Sequence, residues 1–362
     1  MNFTLSPETE ALRAKLRDFV EREIMPLESD PAAYDDHENI ALDRLEGLRA
    51  KAKQAGLWAL QMPKARGGQG LKVAEMAPCY EEMGRSIFGP VVFNCAAPDD
   101  GNMILLEKVA TEAQKTRWLQ PIVDGKLRSA FAMTEPAAHF VVVARTSVDA
   151  RKGLTAFLVH RDTPGLEIVR RIPIMGPEEH GGHCEMRFNS MRVPDSDRLM
   201  NVGDGLKVTQ IRLGTARLTH CMRWLGMARR ALEIARPWVK ERQSFGMSLA
   251  QHEGVQWLLG EAAMAIEVGR LLTMRAAVKL DGGDFARTEI SMAKIQVADT
   301  LHKSIDTAIQ LLGAKGYSKD TPLEWMYRYA RQARLVDGAS EVHKMVLARA
   351  FLERGTDFWG WD

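Results

Sequence analysis

The chain has no long apolar run, few aromatic residues and little cysteine, and each shortage narrows what it can be. A helical membrane span needs about 20 consecutive apolar residues, and no such stretch occurs, so no span is expected. The four cysteines, Cys79, Cys95, Cys184 and Cys221, are widely spaced with no CxxC pair. That spacing excludes a disulfide framework and suits buried thiols in a reducing compartment. Neither sign of charge dominates: 49 Lys and Arg face 47 Asp and Glu, a net of +2, and the basic residues are dispersed. Nucleic acid is therefore not an expected partner, because its binders gather positive charge on one face. The opening Met1-Asn2-Phe3-Thr4-Leu5-Ser6 has no basic stretch followed by an apolar one, so no secretory leader is read and a cytoplasmic protein is expected. Repeats and low-complexity tracts are also missing.

What remains is an ordinary globular composition, 46% hydrophobic and 27% charged, over 362 residues, long enough for two or three packed units. From Ser6 the pattern is helical. Ser6 can cap a helix with Pro7 at its first position, Glu8 and Glu10 suit the positive end of its dipole, and Leu12, Leu16, Phe19 and Val20 repeat at helical spacing. Gly67-Gly68-Gln69-Gly70 reads as a turn. From about Ser129 the segments Phe140–Ala144, Leu154–Val159 and Cys184–Phe188 are short, β-branched or alternating, as strands are. Long helical periodicity returns over Ile211–Arg236, Val255–Leu280, Ala286–Leu312 and Glu341–Arg354, which suggests a bundle. The expected organisation is an N-terminal α domain over 1–128, a middle β domain over 129–204 and a C-terminal helical bundle over 205–362.

Composition and period give a fold class and no reaction. Five segments carry more: Phe131-Ala132-Met133-Thr134-Glu135-Pro136; Arg212-Leu213-Gly214-Thr215-Ala216-Arg217 with His220-Cys221-Met222-Arg223; Arg242-Gln243-Ser244-Phe245-Gly246; Gln310-Leu311-Leu312-Gly313-Ala314-Lys315-Gly316-Tyr317; and Leu335-Val336-Asp337-Gly338-Ala339-Ser340-Glu341-Val342-His343. Taken singly they also read as a proline-ended turn, solvated helix arginines, a glycine cap and an Asp-Gly turn. Their order and spacing, across essentially the whole chain, resemble the acyl-CoA dehydrogenase family, and within it the subgroup typified by human family members 10 and 11.

The resemblance implies an α+β, mostly α, fold with a small barrel-like middle domain and a C-terminal four-helix bundle. It implies FAD as cofactor, with Phe131, Met133 and Thr134 against the isoalloxazine and Arg242 on the pyrophosphate, where a planar guanidinium offers several donors at once. Phe245 corresponds to a residue near the adenine. Gln310, Gly313 and Ala314 correspond to positions that approach the partner subunit's FAD, which implies a homodimer or homotetramer. Ser340 and Glu341 match positions that touch the nucleotide. Glu253 stands where the family often has glutamine, and a carboxylate is a poor neighbour for a phosphate.

Arg217 and Gly338 match residues on the acyl side of the site. Some relatives place the catalytic glutamate just before this arginine, but Thr215 and Ala216 offer no carboxylate. Most relatives read Tyr-Glu-Gly-Thr in the fifth segment, and there this chain has Asp337, as the named subgroup does. A carboxylate is a weak base in water, with a pKa of roughly 4, and burial beside an acyl chain should strengthen it. Aspartate is shorter by one methylene, about 1.5 Å, so backbone or substrate must shift inward.

The implied reaction is α,β-dehydrogenation of an acyl-CoA, with electron-transferring flavoprotein as electron acceptor. Two other readings stand beside it: a nitroalkane-oxidase-like flavoenzyme, which also uses an aspartate base, and a non-catalytic helical assembly protein of the same fold. His180-Gly181-Gly182-His183-Cys184 looks like a metal cluster, but neighbouring strand residues face opposite ways and no fourth ligand is near, so no metal is expected. Ala137 runs directly into Ala138 where the family continues with a glycine- and serine-rich loop, two strands and a tryptophan-containing flavin cover. The reading is that this stretch exists in the protein and is missing from the sequence; a true deletion would weaken the case for FAD.

Overall fold

The structure is a computed structural model, and it describes residues 4–131, 139–149, 152–178 and 182–360. Helices α1 (Pro7–Phe19), α2 (Leu42–Gln54), α3 (Val73–Gly84) and α4 (Asp99–Val109) come first. Strands β1 (Ser129–Phe131), β2 (His139–Arg145), β3 (Leu154–His160), β4 (Leu166–Ile172), β5 (His183–Phe188) and β6 (Arg198–Leu199) follow. Helix α5 (Gly205–Glu241) leads into a hairpin of β7 (Gln243–Ser244) and β8 (Met247–Ser248), then α6 (Glu253–Asp281), α7 (Arg287–Leu312), α8 (Leu323–Ala330) and α9 (Ser340–Arg354). The fold is α+β and mostly α, as expected. The expected gap at Ala137–Ala138 lies outside the described residues.

The first helix starts as its sequence dictates: the Thr9 amide donates to Ser6 Oγ at 3.2 Å, and Pro7 takes the first turn. The strands form an open sheet in the order β1-β2-β3-β6, with β1 parallel to β2 and the other pairs antiparallel; β4 and β5 make a separate ribbon. Among the described residues nothing closes this into the barrel-like domain that the resemblance implied. The sheet's edge strands, β1 and β6, are not paired with each other among the described residues, so the sheet stays open.

The chain packs as two compact units. One comprises Tyr34–Leu71 and Val91–Ala216. Its core gathers Trp58, Met62, Met103, Leu106, Trp118, Phe131 and Leu158, and the Trp58 indole donates to Val123 O at 2.7 Å. The other comprises Met1–Ala33, Lys72–Pro90 and Arg217–Asp362. Within it α7 packs against α6, α8 and α9, and α3 against α1 and α6. Glu82 on α3, 1% exposed, accepts from Arg17 at 2.9 Å and from Arg229 at 3.2 Å. Burial opposes its ionisation, but the hydrogen bond from Arg17 and the Arg229 charge outweigh this and hold the carboxyl down at about 2. All four cysteines are buried and none is in a disulfide. Among the described residues no helix is long and apolar enough to cross a membrane.

Two glycines let α3 approach α5 backbone to backbone. A Cβ at Gly84 would lie 2.2 Å from Arg223 O, and one at Gly226 would lie 2.0 Å from Glu81 O. Gly226→Ala should therefore destabilise the protein by about 1–3 kcal/mol through forced separation of the helices. Gly214→Ala, on the same helix but facing open space, should be neutral or stabilising by up to about 1 kcal/mol. Urea unfolding checks both; a Gly226→Ala variant as stable as wild type would contradict this packing.

Candidate active site

The site grows from a short segment between two helical turns. After α8 the chain makes a tight turn over Arg331–Arg334, ended by the Leu335 and Val336 amides donating to Gln332 O at 2.7 and 3.0 Å. The next two residues are both left-handed, Asp337 at φ +54 and Gly338 at φ +102. Aspartate tolerates this region better than most residues, and glycine is free in it. The chain then enters α9 at Ser340.

Two cations grip this segment. Arg217 Nε donates to Asp337 O at 2.6 Å. Lys294 Nζ donates to Ala333 O at 2.6 Å and to Gly338 O at 3.1 Å. With its backbone held, the Asp337 carboxylate lies largely buried, its Oδ2 3.5 Å from His220 Nε2. His220 stacks on Trp224, ring centroids 4.9 Å apart, and its Nδ1 lies 3.3 Å from Arg223 Nη2. Arginine only donates, so Nδ1 accepts and the Nε2 proton faces Asp337.

His343 packs on the other side of the turn. Its Nδ1 lies 3.1 Å from Ser291 Oγ, and that hydroxyl donates to Arg287 O, so Nδ1 carries the proton. His343 Nε2 is buried, with no hydrogen-bond partner among the described residues. Burial first, then the charges of Arg217 and Lys294, push the His343 pKa down to about 4. Burial also lowers the pKa of Lys294, against which the Asp337 charge works. Burial pushes the Cys221 thiol up to about 12, so it stays protonated beside the site. The cluster is thus a shielded carboxylate with two cations at its backbone and a ring proton at its side chain. Those neighbours favour the ionised carboxylate, the form that can act as a base.

The residues read as nucleotide contacts are displayed differently. Phe245 and Gly246, both left-handed, form the two-residue primed turn of the β7–β8 hairpin. Phe245 is 95% exposed. Arg242, just before the hairpin, is exposed and makes no ion pair among the described residues. Lys315 Nζ sits 5.1 Å from the Trp238 ring centroid, which brings the turn after α7 beside the end of α5. Gln310, Gly313 and Ala314 around that turn are exposed, with Gly313 at φ +60. A guanidinium, an aromatic face, an amide and a turn poor in side chains suit a diphosphate and a flat base, so the residues fit a flavin nucleotide. Ser340 is buried, with its Oγ lacking a partner among the described residues, and Glu341 is exposed beside it. Phe131 lies in the other unit, buried, with the Arg212 guanidinium 4.9 Å from its ring centroid. Met133, Thr134, His180 and Gly181 lie outside the described residues; His183 opens β5 half-buried and Cys184 is buried.

Family models for the N-terminal and C-terminal domains of acyl-CoA dehydrogenases match residues 6–126 and 203–352. The chain belongs to the acyl-CoA dehydrogenase family. A Mycobacterium tuberculosis protein described as a probable acyl-CoA dehydrogenase is 36% identical over 403 residues, covering 98% of each chain. Acyl-CoA dehydrogenase family member 11 of Gallus gallus is 36% identical over 397 residues, 96% of this chain and 51% of that protein, which bears out the subgroup likeness. The chain thus spans about half the length of that relative. Both alignments are longer than 362 residues, so these relatives carry residues that this chain lacks. A solved structure from Mycobacterium abscessus, provisionally described as an acyl-CoA dehydrogenase, superposes with a TM-score of 0.88 at 33% identity, covering 97% of this chain and 99% of that one.

For this member of the acyl-CoA dehydrogenase family, the sequence reading missed the residues that surround Asp337. His220 and His343 stand in two of the five segments, at positions to which the resemblance gives no role, and Trp224, Ser291 and Lys294 lie outside all five. Signals existed. Arg217, His220 and Trp224 share one helical face at i, i+3 and i+7, and Lys294 is a lone charge among Ile290, Ala293, Val297 and Ala298.

The depressed His343 pKa has a pH consequence. As pH falls from 6.5 toward 4, the unfolded chain takes up a proton that folded His343 refuses, so stability drops across that window and is unaffected above it. His139, also held down to about 4 by burial, adds to the same fall. In denaturant melts at pH 7 and pH 5, His343→Gln should show a smaller loss than wild type; an unchanged loss would contradict the assignment.

Proposed function

We propose that the chain is an FAD-dependent acyl-CoA dehydrogenase that converts an acyl-CoA thioester to the trans-2-enoyl-CoA, with Asp337 as the base. The observation that carries this reading is the buried Asp337 carboxylate, its backbone gripped by Arg217 and Lys294, at the position where the family motif has its base. FAD, when bound, supplies the acceptor for the hydrogen that leaves the β-carbon as hydride. The chain's own task is at the α-carbon. Asp337 accepts the α-proton on its carboxylate, the neighbouring charges and the His220 ring proton keep that carboxylate ionised beforehand, and burial keeps water away. Arg217 and Gly338 would face the acyl thioester, with the Asp337 backbone N–H among the donors to its oxygen.

Phe131, Met133, Thr134, Ser340 and Glu341 would contact the flavin. Arg242, Phe245, Gln310, Gly313 and Ala314 are exposed as a set, which supports a role on the FAD of a neighbouring subunit in a homodimer or homotetramer. Electron-transferring flavoprotein is the proposed acceptor and fatty acid β-oxidation the setting. A nitroalkane could yield a proton to the same carboxylate, so the test includes one.

FAD-loaded protein should bleach anaerobically on addition of a saturated acyl-CoA and not of nitroethane. Asp337→Asn should slow the bleaching by about 10²- to 10⁴-fold, as loss of a general base does. Bleaching by nitroethane alone, or an Asp337→Asn variant as fast as wild type, would overturn the reading.

A further inference from the structure

Lys294 has no exposed surface and sits mid-helix among apolar neighbours. Packing alone does not call for an ammonium there, because Leu or Met would fill the space without the burden of a buried charge. Nor does an ion pair account for it: among the described residues Lys294 makes none. Its hydrogen bonds go to two backbone carbonyls, Ala333 O at 2.6 Å and Gly338 O at 3.1 Å. One belongs to the turn that leads into the base, and the other follows the base directly.

Building on Asp337 as the base, we propose that Lys294 is a positioning residue: its ammonium clamps the backbone on both sides of Asp337 and favours the ionised carboxylate. The clamp acts on the element that needs it, since two successive left-handed residues have little local preference for staying in place. Lys294 Nζ also lies 5.6 Å from the centroid of the Trp224 ring on which His220 stacks, so one aromatic surface backs both groups. The titratable and charged groups around Asp337 are Arg217, His220 and Cys221 from α5, Lys294 from α7 and His343 from α9, and the exposed Glu341 acts on Lys294. Arg217 binds the carbonyl of Asp337 itself, and Lys294 spans the turn from Ala333 O to Gly338 O.

Two variants separate the clamp from the charge. Lys294→Met keeps the bulk and removes both; Lys294→Gln keeps N–H donors without the charge. In anaerobic stopped-flow reduction of the FAD-loaded proteins by a saturated acyl-CoA, Lys294→Met should lower the limiting rate by about 100-fold, as a small misplacement of a reacting group does. The half-saturating acyl-CoA concentration should stay put, and the pH–rate profile should move to higher pH because a nearby cation has gone. Lys294→Gln should recover part of the rate with its profile still moved. A Lys294→Met variant with the wild-type rate, or with a slower rate and an unmoved profile, would overturn the proposal. Should Lys294→Met fail to fold, the Lys294→Gln profile decides: moved supports the proposal and unmoved overturns it.

A second readout needs no flavin. In apo-protein labelled with ¹³C at aspartate carboxyls, the signal that Asp337→Asn removes should titrate at higher pH in Lys294→Gln than in wild type; an equal midpoint counts against Lys294. If acyl-CoA does not bleach the wild type, the reading of the reaction has failed, while this titration still decides on Lys294.

Discussion

Everything in the proposed chemistry depends on a backbone conformation that side-chain-bearing residues avoid. Asp337 and Gly338 are left-handed in succession, and holding a non-glycine residue there costs on the order of 1–3 kcal/mol. The surrounding structure meets that cost with hydrogen bonds from Arg217 and Lys294 to three carbonyls of residues 333–338. Gly338 suits its φ of +102, and a Cβ there would make a tight contact of 3.2 Å with His343 Nε2. The turn and the residues packed around it are one device, and the carboxylate takes its place from them.

The scaffold behind that device is made of close contacts that allow little play. Gly84 and Gly226 bring α3 and α5 to backbone distance, and Glu82 on α3 ties these helices together through Arg229 and joins α1 to them through Arg17. A buried carboxylate with several guanidiniums adds less net stability than its geometry suggests, because desolvation opposes it, but losing one partner is expensive. The cluster therefore fixes relative position, and the segment from Arg217 to Trp224 inherits that position.

Much of the fold was legible because its helices are long. Three of the helical stretches expected after residue 205 match α6, α7 and α9 closely, the one over Ile211–Arg236 lies inside the longer α5, and Ser6-Pro7 marks the start of α1. Strand β4 escaped notice because Leu166–Ile172 carries Glu167, Arg170 and Arg171, which hide alternation in a two-stranded ribbon. The barrel-like expectation came from the family likeness, and local pairing could not correct it. At the site, motif spacing led to Asp337, whereas Lys294 lies 43 residues away in sequence and meets it only through the packing of α7. A lone lysine in an apolar stripe was the available hint, and its meaning lay in two carbonyls that no sequence pattern marks.

The central claim is proton removal from the α-carbon by Asp337, and it can be observed apart from electron transfer. A 3-thia-acyl-CoA, which resists dehydrogenation at the β-position, is incubated with FAD-loaded protein in D₂O and followed by proton NMR. The account predicts catalysed deuterium exchange at the α-carbon with wild type and none above background with Asp337→Asn. Equal exchange in the two proteins would contradict it.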